Sequence, residues 1–303
     1  MPPWTDPEWL AEAEAWIRGN APGAVHAIEQ PHVRPWSTAL RVETSDGVVW
    51  FKANGPSQVQ EGPVTDLLAG IRPDLLPELL AWDGGAGWML VRDAGERLRE
   101  LVARERSLGR WLDALPRYAE LQLAVAPAAD ELVERGAPDR RLAVLPAQFE
   151  QLLGAVGDHR RGRLGPLVRE LADELAAAGI AETIQHDDLH DAQVFFRDGR
   201  PRFTDWGDAV VAHPFLSMSI ALEGVIAWGV DDVEGSEDVG PYAAAYLEPF
   251  GPGLERALAV ALRLGWACRS VGVWEQAQLL EPEFRAAHLD GLVARLDLVD
   301  PGR

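Results

Sequence analysis

His186-Asp187-Asp188-Leu189-His190-Asp191-Ala192-Gln193, followed by Phe203-Thr204-Asp205-Trp206-Gly207-Asp208, is the stretch on which the reading of this chain turns. Three aspartates and two histidines within six residues are compatible with a plain polar loop. The residues in between argue for more. Val194-Phe195-Phe196 and Arg202-Phe203-Thr204 read as two strands joined by a turn at Asp198-Gly199. A hairpin there brings the two polar segments together.

Outward from this stretch, the next unusual residue lies far upstream. Lys52 is the only lysine of 303 residues, against 27 arginines among the 28 basic residues, and it ends the strand-like run Val48-Val49-Trp50-Phe51-Lys52. A compact ammonium enters tight sites that the broad, planar guanidinium fork does not fit. Before it, Leu40, Val42 and Thr44 alternate with Arg41 and Glu43 at strand period, and Asp46-Gly47 supplies a hairpin turn. Residues 6–18 predict a helix, with Asp6 as cap, Pro7 in its first turn and Trp9, Ala13 and Trp16 at helical spacing. A second helix is expected from about Pro63 to Ala69, and Trp88-Met89-Leu90-Val91 is a short buried strand. From 97 to 180, and over most of 214–297, the period is helical. The chain thus divides near residues 92–96 into a strand-rich part, 1–93, and a larger helical part, 94–303. That is an α+β arrangement of two lobes, with the crevice between them as the natural ligand site.

The kinase catalytic loop reads H-R-D-L-x-x-x-N and is followed by D-F-G. Here His186, Asp188 and Leu189 match, Gln193 takes the Asn position, and Asp205-Trp206-Gly207 stands for D-F-G. His190 marks the H-G-D-L-H-x-x-N form of the loop. At these residues the chain resembles the aminoglycoside phosphotransferase and choline kinase-like family of small-molecule kinases, which have a two-lobed protein kinase-like fold. The resemblance implies ATP and Mg²⁺ as cofactors and the hydroxyl of a small molecule as phosphate acceptor. It implies that Asp188 holds that hydroxyl and takes its proton, and that Asp205 and Gln193 hold Mg²⁺, oxygen ligands suiting a hard cation. Lys52 would contact the α- and β-phosphates, steadied by Glu61 from a helix. Pro63, however, prefers the first helical position and would leave Glu61 just ahead of the helix.

Trp50 shares the face of Lys52 by period 2 and, by resemblance, stacks on the adenine; a core tryptophan is the alternative. Arg34-Pro35-Trp36-Ser37-Thr38 takes the place of a phosphate-covering loop. It has no glycines, which leaves backbone amides and the Ser37 and Thr38 hydroxyls. The backbone of Val91 and Asp93 is expected at the adenine edge. His190 reads as a structural hydrogen-bonder, and Asp187 and Asp191 as solvated. Gln193 is the main departure, since its extra methylene moves the carbonyl oxygen by about a bond length. Misplacement by roughly 1 Å can cost ~10²-fold in rate. A nucleotide-binding pseudokinase of the same fold is therefore the alternative.

Composition narrows the partners. A net charge of -20 argues against nucleic acid, whose binding needs a basic surface. No apolar run approaches the ~18–20 residues of a membrane span, and the acidic start, Met1 to Glu8, is unlike a signal peptide. One cysteine, Cys268, fits a reducing cytoplasm. Ala53 after Lys52 rules out a Walker A motif. A hydrolase whose metal is ligated by His186, Asp188, His190 and Asp205 is a further alternative. For the acceptor, Asp231-Asp232-Val233-Glu234 and Glu237-Asp238 would suit an ammonium-bearing molecule, or be a solvated loop. Trp228, Trp266 and Trp274 would give it an aromatic wall, or be core.

Overall fold

Asp6 caps the first helix, α1 (Pro7–Asn20), as its spacing predicts: the carboxylate accepts the backbone N–H groups of Glu8 and Trp9 at 2.8 and 3.2 Å. These are two of the four donors that a helix start leaves orphaned. The structure, a computed structural model, describes residues 3–157, 159–230 and 233–300. After α1 come β1 (Val25–Val33), β2 (Ser37–Thr44), β3 (Gly47–Asn54), α2 (Glu61–Ile71), β4 (Leu79–Asp83) and β5 (Trp88–Arg92). The five strands form one antiparallel sheet in the order β1-β2-β3-β5-β4.

β3 sets the polarity of that sheet. Val49, Phe51 and Ala53 are buried under α1, where the rings of Trp9, Trp16 and Trp88 meet Phe51 at 5.6–6.4 Å. Alternation then turns Trp50 and Lys52 to the opposite face. β1 and β4 escape the sequence reading. β1 is an edge strand with no buried residue, Pro31 inside it and two register slips, and β4 likewise has no buried residue to mark a period.

α2 begins at Glu61, two residues before the expected start at Pro63. Pro63 falls in the first turn, where N–H groups have no intrahelical partner, so the ring removes no hydrogen bond. Glu61 is thereby the first residue of the helix.

β6 (Glu96–Arg97) leads into α3 (Leu98–Glu105), α4 (Trp111–Val125), α5 (Ala129–Glu134), α6 (Leu145–Ala155) and α7 (Arg161–Ala176). β7 (Thr183–Gln185) precedes the His186 segment, and β8 (Val194–Arg197) with β9 (Arg200–Phe203) forms the hairpin behind it. Asp198 and Gly199 have φ of 53° and 74°, the pair of left-handed residues that a two-residue hairpin turn requires. β10 (Val210–Ala212) returns to pair with β7. A π-helical segment, Ser219–Ala227, and the small hairpin β11 (Gly229–Val230) and β12 (Val233–Glu234) precede α8 (Gly240–Leu247), α9 (Glu255–Leu279), α10 (Pro282–His288) and α11 (Leu292–Val299).

Two hydrophobic cores result, a small one between α1 and the sheet and a large one in the helical part. Val64 and Leu68 place α2 in the large core, so α2 is anchored on the helices while its first residue reaches β3. The fold is α+β, with a strand-rich N-terminal part and a helical C-terminal part. Among the described residues no helix is long and apolar enough to cross a membrane.

Candidate active site

Lys52 projects from β3 toward both the start of α2 and the Asp205 loop. Its Nζ lies 2.6 Å from Glu61 Oε2 and pairs with Asp205 Oδ1 as well. Glu61 is 1% exposed and also accepts the Asn54 amide at 2.7 Å. Burial would lower the lysine pKa, but Asp205 and Glu61 outweigh it and raise it, so the ammonium persists. Burial raises Glu61, with Lys52 offsetting part of the rise. At Asp205 the balance tips the other way: Lys52 overcomes burial and holds the carboxyl below its usual range. Asp205 has φ of 64°, a left-handed conformation that a non-glycine residue adopts at some cost. The amide of Gln193 donates to its Oδ2 at 2.7 Å. Lys52, Glu61, Gln193 and Asp205 therefore meet.

The loop after β7 is fixed by His186. Its backbone N–H reaches Tyr118 Oη and Ser217 Oγ at 2.9 and 3.0 Å. Its ring Nε2 donates to the Thr204 carbonyl at 2.8 Å and lies against Trp206, tying one polar segment to the other. Burial lowers the pKa of this imidazole. Asp188 Oδ1 is 3.0 Å from the Arg269 guanidinium, and Oδ2 is 3.5 Å from His190 Nε2. Burial alone would raise Asp188; Arg269 and then His190 outweigh it and hold the carboxyl well below its usual range. At His190, Asp188 and Asp191 lift the pKa to about 9 against burial. The Ala192 N–H approaches Nδ1 at 3.1 Å, a contact that the neutral ring, but not the imidazolium, can accept.

Asp187 and Asp191, expected in solvent, are buried at 4% and 1% exposure. Each has a partner that permits it. Arg99 grips Asp191 with bonds of 2.8–3.2 Å. Asp187 accepts the Gln185 amide at 3.0 Å and stands 3.7 Å from Arg269. Burial still pushes the Asp187 carboxyl up to about 6.

This geometry can be compared with that of known proteins. Neither a family model nor a curated protein sequence matches the chain. Solved structures do. The choline kinase LicA from Streptococcus pneumoniae superposes with a TM-score of 0.63 at 13% identity, covering 95% of this chain and 99% of its own. The macrolide 2'-phosphotransferase MphH from Brachybacterium faecium gives 0.58 at 18% identity over 98% and 99%. The ternary complex of streptomycin, ATP and APH(2")-IIa gives 0.62 at 13% identity over 95% and 98%. The fold is that of the small-molecule kinases.

Within this kinase fold the remaining residues singled out from the sequence fall as follows. Trp50 is half-buried, belongs to neither hydrophobic core, and donates its indole N–H to Asp93 Oδ2 at 2.9 Å. Ser37 and Thr38 are buried in β2. The Thr38 hydroxyl donates to the His32 carbonyl at 2.7 Å and accepts the Gln30 amide at 2.9 Å, so it is committed inside the sheet. Val91 lies within β5, paired with both β3 and β4, and the Asp93 N–H donates to the Val48 carbonyl at 3.2 Å. The next backbone to leave the sheet is that of Ala94, itself buried.

Sequence reasoning missed Arg269 and Asp208. Arg269 projects from α9 and contacts Asp188, Asp208 and Asp187 at 3.0, 2.9 and 3.7 Å. Its signal was a lone charge within Trp266, Ala267, Cys268, Ser270 and Val271, all buried. Asp208 also accepts the amides of Gln58 at 2.7 Å and of Gln276. Among the described residues no group of three or more His, Cys, Asp or Glu is arranged to hold a metal. The hydrolase arrangement of His186, Asp188, His190 and Asp205 around one ion is thus not formed among the described residues.

On the expected acceptor side, Asp231 and Asp232 lie outside the described residues, while Val233 and Glu234 form β12. Trp228 is 63% exposed and stacks on Trp266 at 6.0 Å. Trp274 packs half-buried against the large core.

Proposed function

We propose that this chain transfers the γ-phosphate of ATP to a hydroxyl of a small molecule. The observation that carries the proposal is Lys52, paired with Glu61 and with Asp205 while Gln193 links Asp205 to the Asp188 loop. Phosphoryl transfer needs little covalent chemistry from a protein; it needs positioning and charge neutralisation. Asp188, ionised and presented by the His186 joint, takes the proton of the acceptor hydroxyl. That oxygen forms its bond to the γ-phosphorus as the bridging P–O bond breaks, and ADP leaves with the electron pair. Lys52 holds the α- and β-phosphates.

Mg²⁺, when bound, neutralises phosphate charge. One carboxylate and one amide oxygen suit a hard cation that takes its other ligands from phosphate and water. Asp205 would hold it with Gln193, whose amide would need a half-turn to present its oxygen, as its N–H now faces Asp205. For the adenine we assign Trp50 as the stacking ring. The edge contact falls to the Ala94 backbone, because the Asp93 N–H is given to Val48. A reducing, cytoplasmic setting suits the single buried thiol of Cys268.

The rival reading, nucleotide binding without transfer, draws on Gln193 in the Asn position and on Arg269 bound to Asp188. Nucleotide consumption across a panel of hydroxyl compounds separates the two. Acceptor-dependent turnover is expected, and Asp188→Asn should lower it by about 10²–10⁴-fold while nucleotide binding is retained. Binding of Mg·ATP with no turnover on any acceptor, restored by Gln193→Asn, would favour the rival.

A further inference from the structure

One guanidinium, that of Arg269, serves three carboxylates. It reaches Asp188 Oδ1 at 3.0 Å and Asp208 Oδ2 at 2.9 Å, with Asp187 Oδ2 at 3.7 Å. Two of the three carboxylates have amide donors as well. Asp208 accepts Gln58, from the loop after β3, at 2.7 Å, and Gln276 from α9. Asp187 accepts Gln185 at 3.0 Å. Asp188 is the open member, with its side chain 27% exposed against 5% for Asp187 and 12% for Asp208. Its second oxygen, Oδ2, has only His190 Nε2 nearby, at 3.5 Å, beyond the length of a good hydrogen bond.

The sequence of α9 suits it to carry Arg269 to this place. Gly265, Arg269 and Gly272 follow one another at helical spacing along a single stripe. Glycine inside a helix costs about 0.5–1 kcal/mol relative to alanine, so two in one stripe need a reason. A Cβ at Gly265 would strike the Leu216 carbonyl oxygen and the Ser219 hydroxyl, and one at Gly272 would come within 3.0 Å of Asp187 Oδ2. Both glycines let α9 lie close against its neighbours, Gly272 against the Asp188 loop itself. Trp266, Cys268, Ser270 and Val271, all buried, fix the rotation of the helix.

We propose that Arg269 is a positioning residue for the transfer: anchored on Asp208, it holds Asp188 by Oδ1 and leaves Oδ2 to take the proton of the acceptor hydroxyl. The inference rests on the kinase reading and goes beyond it in naming the oxygen that acts and the side chain that aims it. The terminal torsion of an aspartate is broad, so pinning one oxygen decides where the other points. A planar guanidinium fork can span two carboxylates, whereas an ammonium on a flexible stem does not fix both.

The test uses the full chain with Mg·ATP and a hydroxyl compound that the unaltered protein phosphorylates. Arg269→Ala should lower kcat by on the order of 10- to 100-fold, the scale of a misplaced reacting group, while KM for Mg·ATP is unchanged. Added guanidinium ion, at millimolar concentrations that leave the melting temperature unaltered, should restore part of the lost kcat saturably; methylammonium should not. Arg269→Lys keeps the charge, so it maintains the fold should Arg269→Ala not, and without the fork it should still lose kcat at constant KM for Mg·ATP. The role is overturned if both variants keep the full kcat, if either exceeds it, if the loss lies in KM for Mg·ATP alone, or if a folded Arg269→Ala gains nothing from guanidinium. An unaltered protein that phosphorylates no acceptor at all sinks the kinase reading instead, and the inference with it.

Discussion

Lys52 is bound to two carboxylates of unequal burial, and Glu61 is the one that depends on it. Lys52→Ala leaves Glu61 with the Asn54 amide alone. Breaking a buried pair from one side costs about 3–5 kcal/mol, which urea denaturation should report, and adding Glu61→Gln should recover part of it. His190 makes a pH-dependent contribution. Its folded pKa, raised to about 9, exceeds the ordinary value of about 6.5, so the stability it draws from Asp188 and Asp191 is full below ~6.5 and lost as pH rises through the folded value. The stability gap between the protein and His190→Asn should therefore shrink from pH 6 to pH 10. A constant gap would show that the Ala192 N–H keeps the ring neutral throughout. Lys52, Asp188 and Asp205 were legible because chemistry restricts their residue types at fixed spacing. Arg269 was not, because it reaches the site from a helix more than 60 residues downstream of Asp205 and belongs to no local pattern.

At the scale of elements, the passage from sheet to helices turns on Gly95, between β5 and β6. Its φ is 106°, and a Cβ there would strike the Phe196 carbonyl oxygen. Gly47, with a φ of 103°, has open space around it. Gly95→Ala combines strain with a clash against fixed backbone and should cost at least about 1–3 kcal/mol. Gly47→Ala bears only the left-handed penalty of about 1–2 kcal/mol, and denaturant midpoints of the two variants should rank in that order. The β2–β3 and β8–β9 hairpins were readable since alternation and turn residues agree. β1 and β4 were not, because edge strands without buried positions show no period. The start of α2 was misjudged because proline is tolerated throughout the first turn, a fact that places Glu61 where Lys52 can reach it.

Taken whole, the molecule has a strand-rich and a helical part, each with its own core, and side-chain bonds join them. Besides Lys52 with Asp205, Gln58 binds Asp208 at 2.7 Å, Gln60 binds the Gly207 carbonyl at 2.8 Å, and Arg202 binds the Leu76 carbonyl at 2.6 Å. A ligand held from both sides stabilises both. Mg·ATP at a hundred times its dissociation constant should add about 2.7 kcal/mol, seen as a rise in melting temperature that Asp205→Asn diminishes. The succession of a strand-rich part by a helical one was visible in the change of period along the chain. The pairing of the aspartates around the candidate site was not, since charge balance along a sequence does not tell which acids are paired in space.

One lysine in 303 residues gives ε-amine chemistry a single destination. Acylation, reductive alkylation, lysine-directed cross-linking and cleavage by a lysine-specific protease all converge on Lys52 or its bond to Ala53, inside a strand and beneath two carboxylates. The extent of labelling, apart from the α-amine, reports directly on how far Lys52 is released from Glu61 and Asp205. Under the proposed function, the unaltered protein carries its own reporter for nucleotide occupancy.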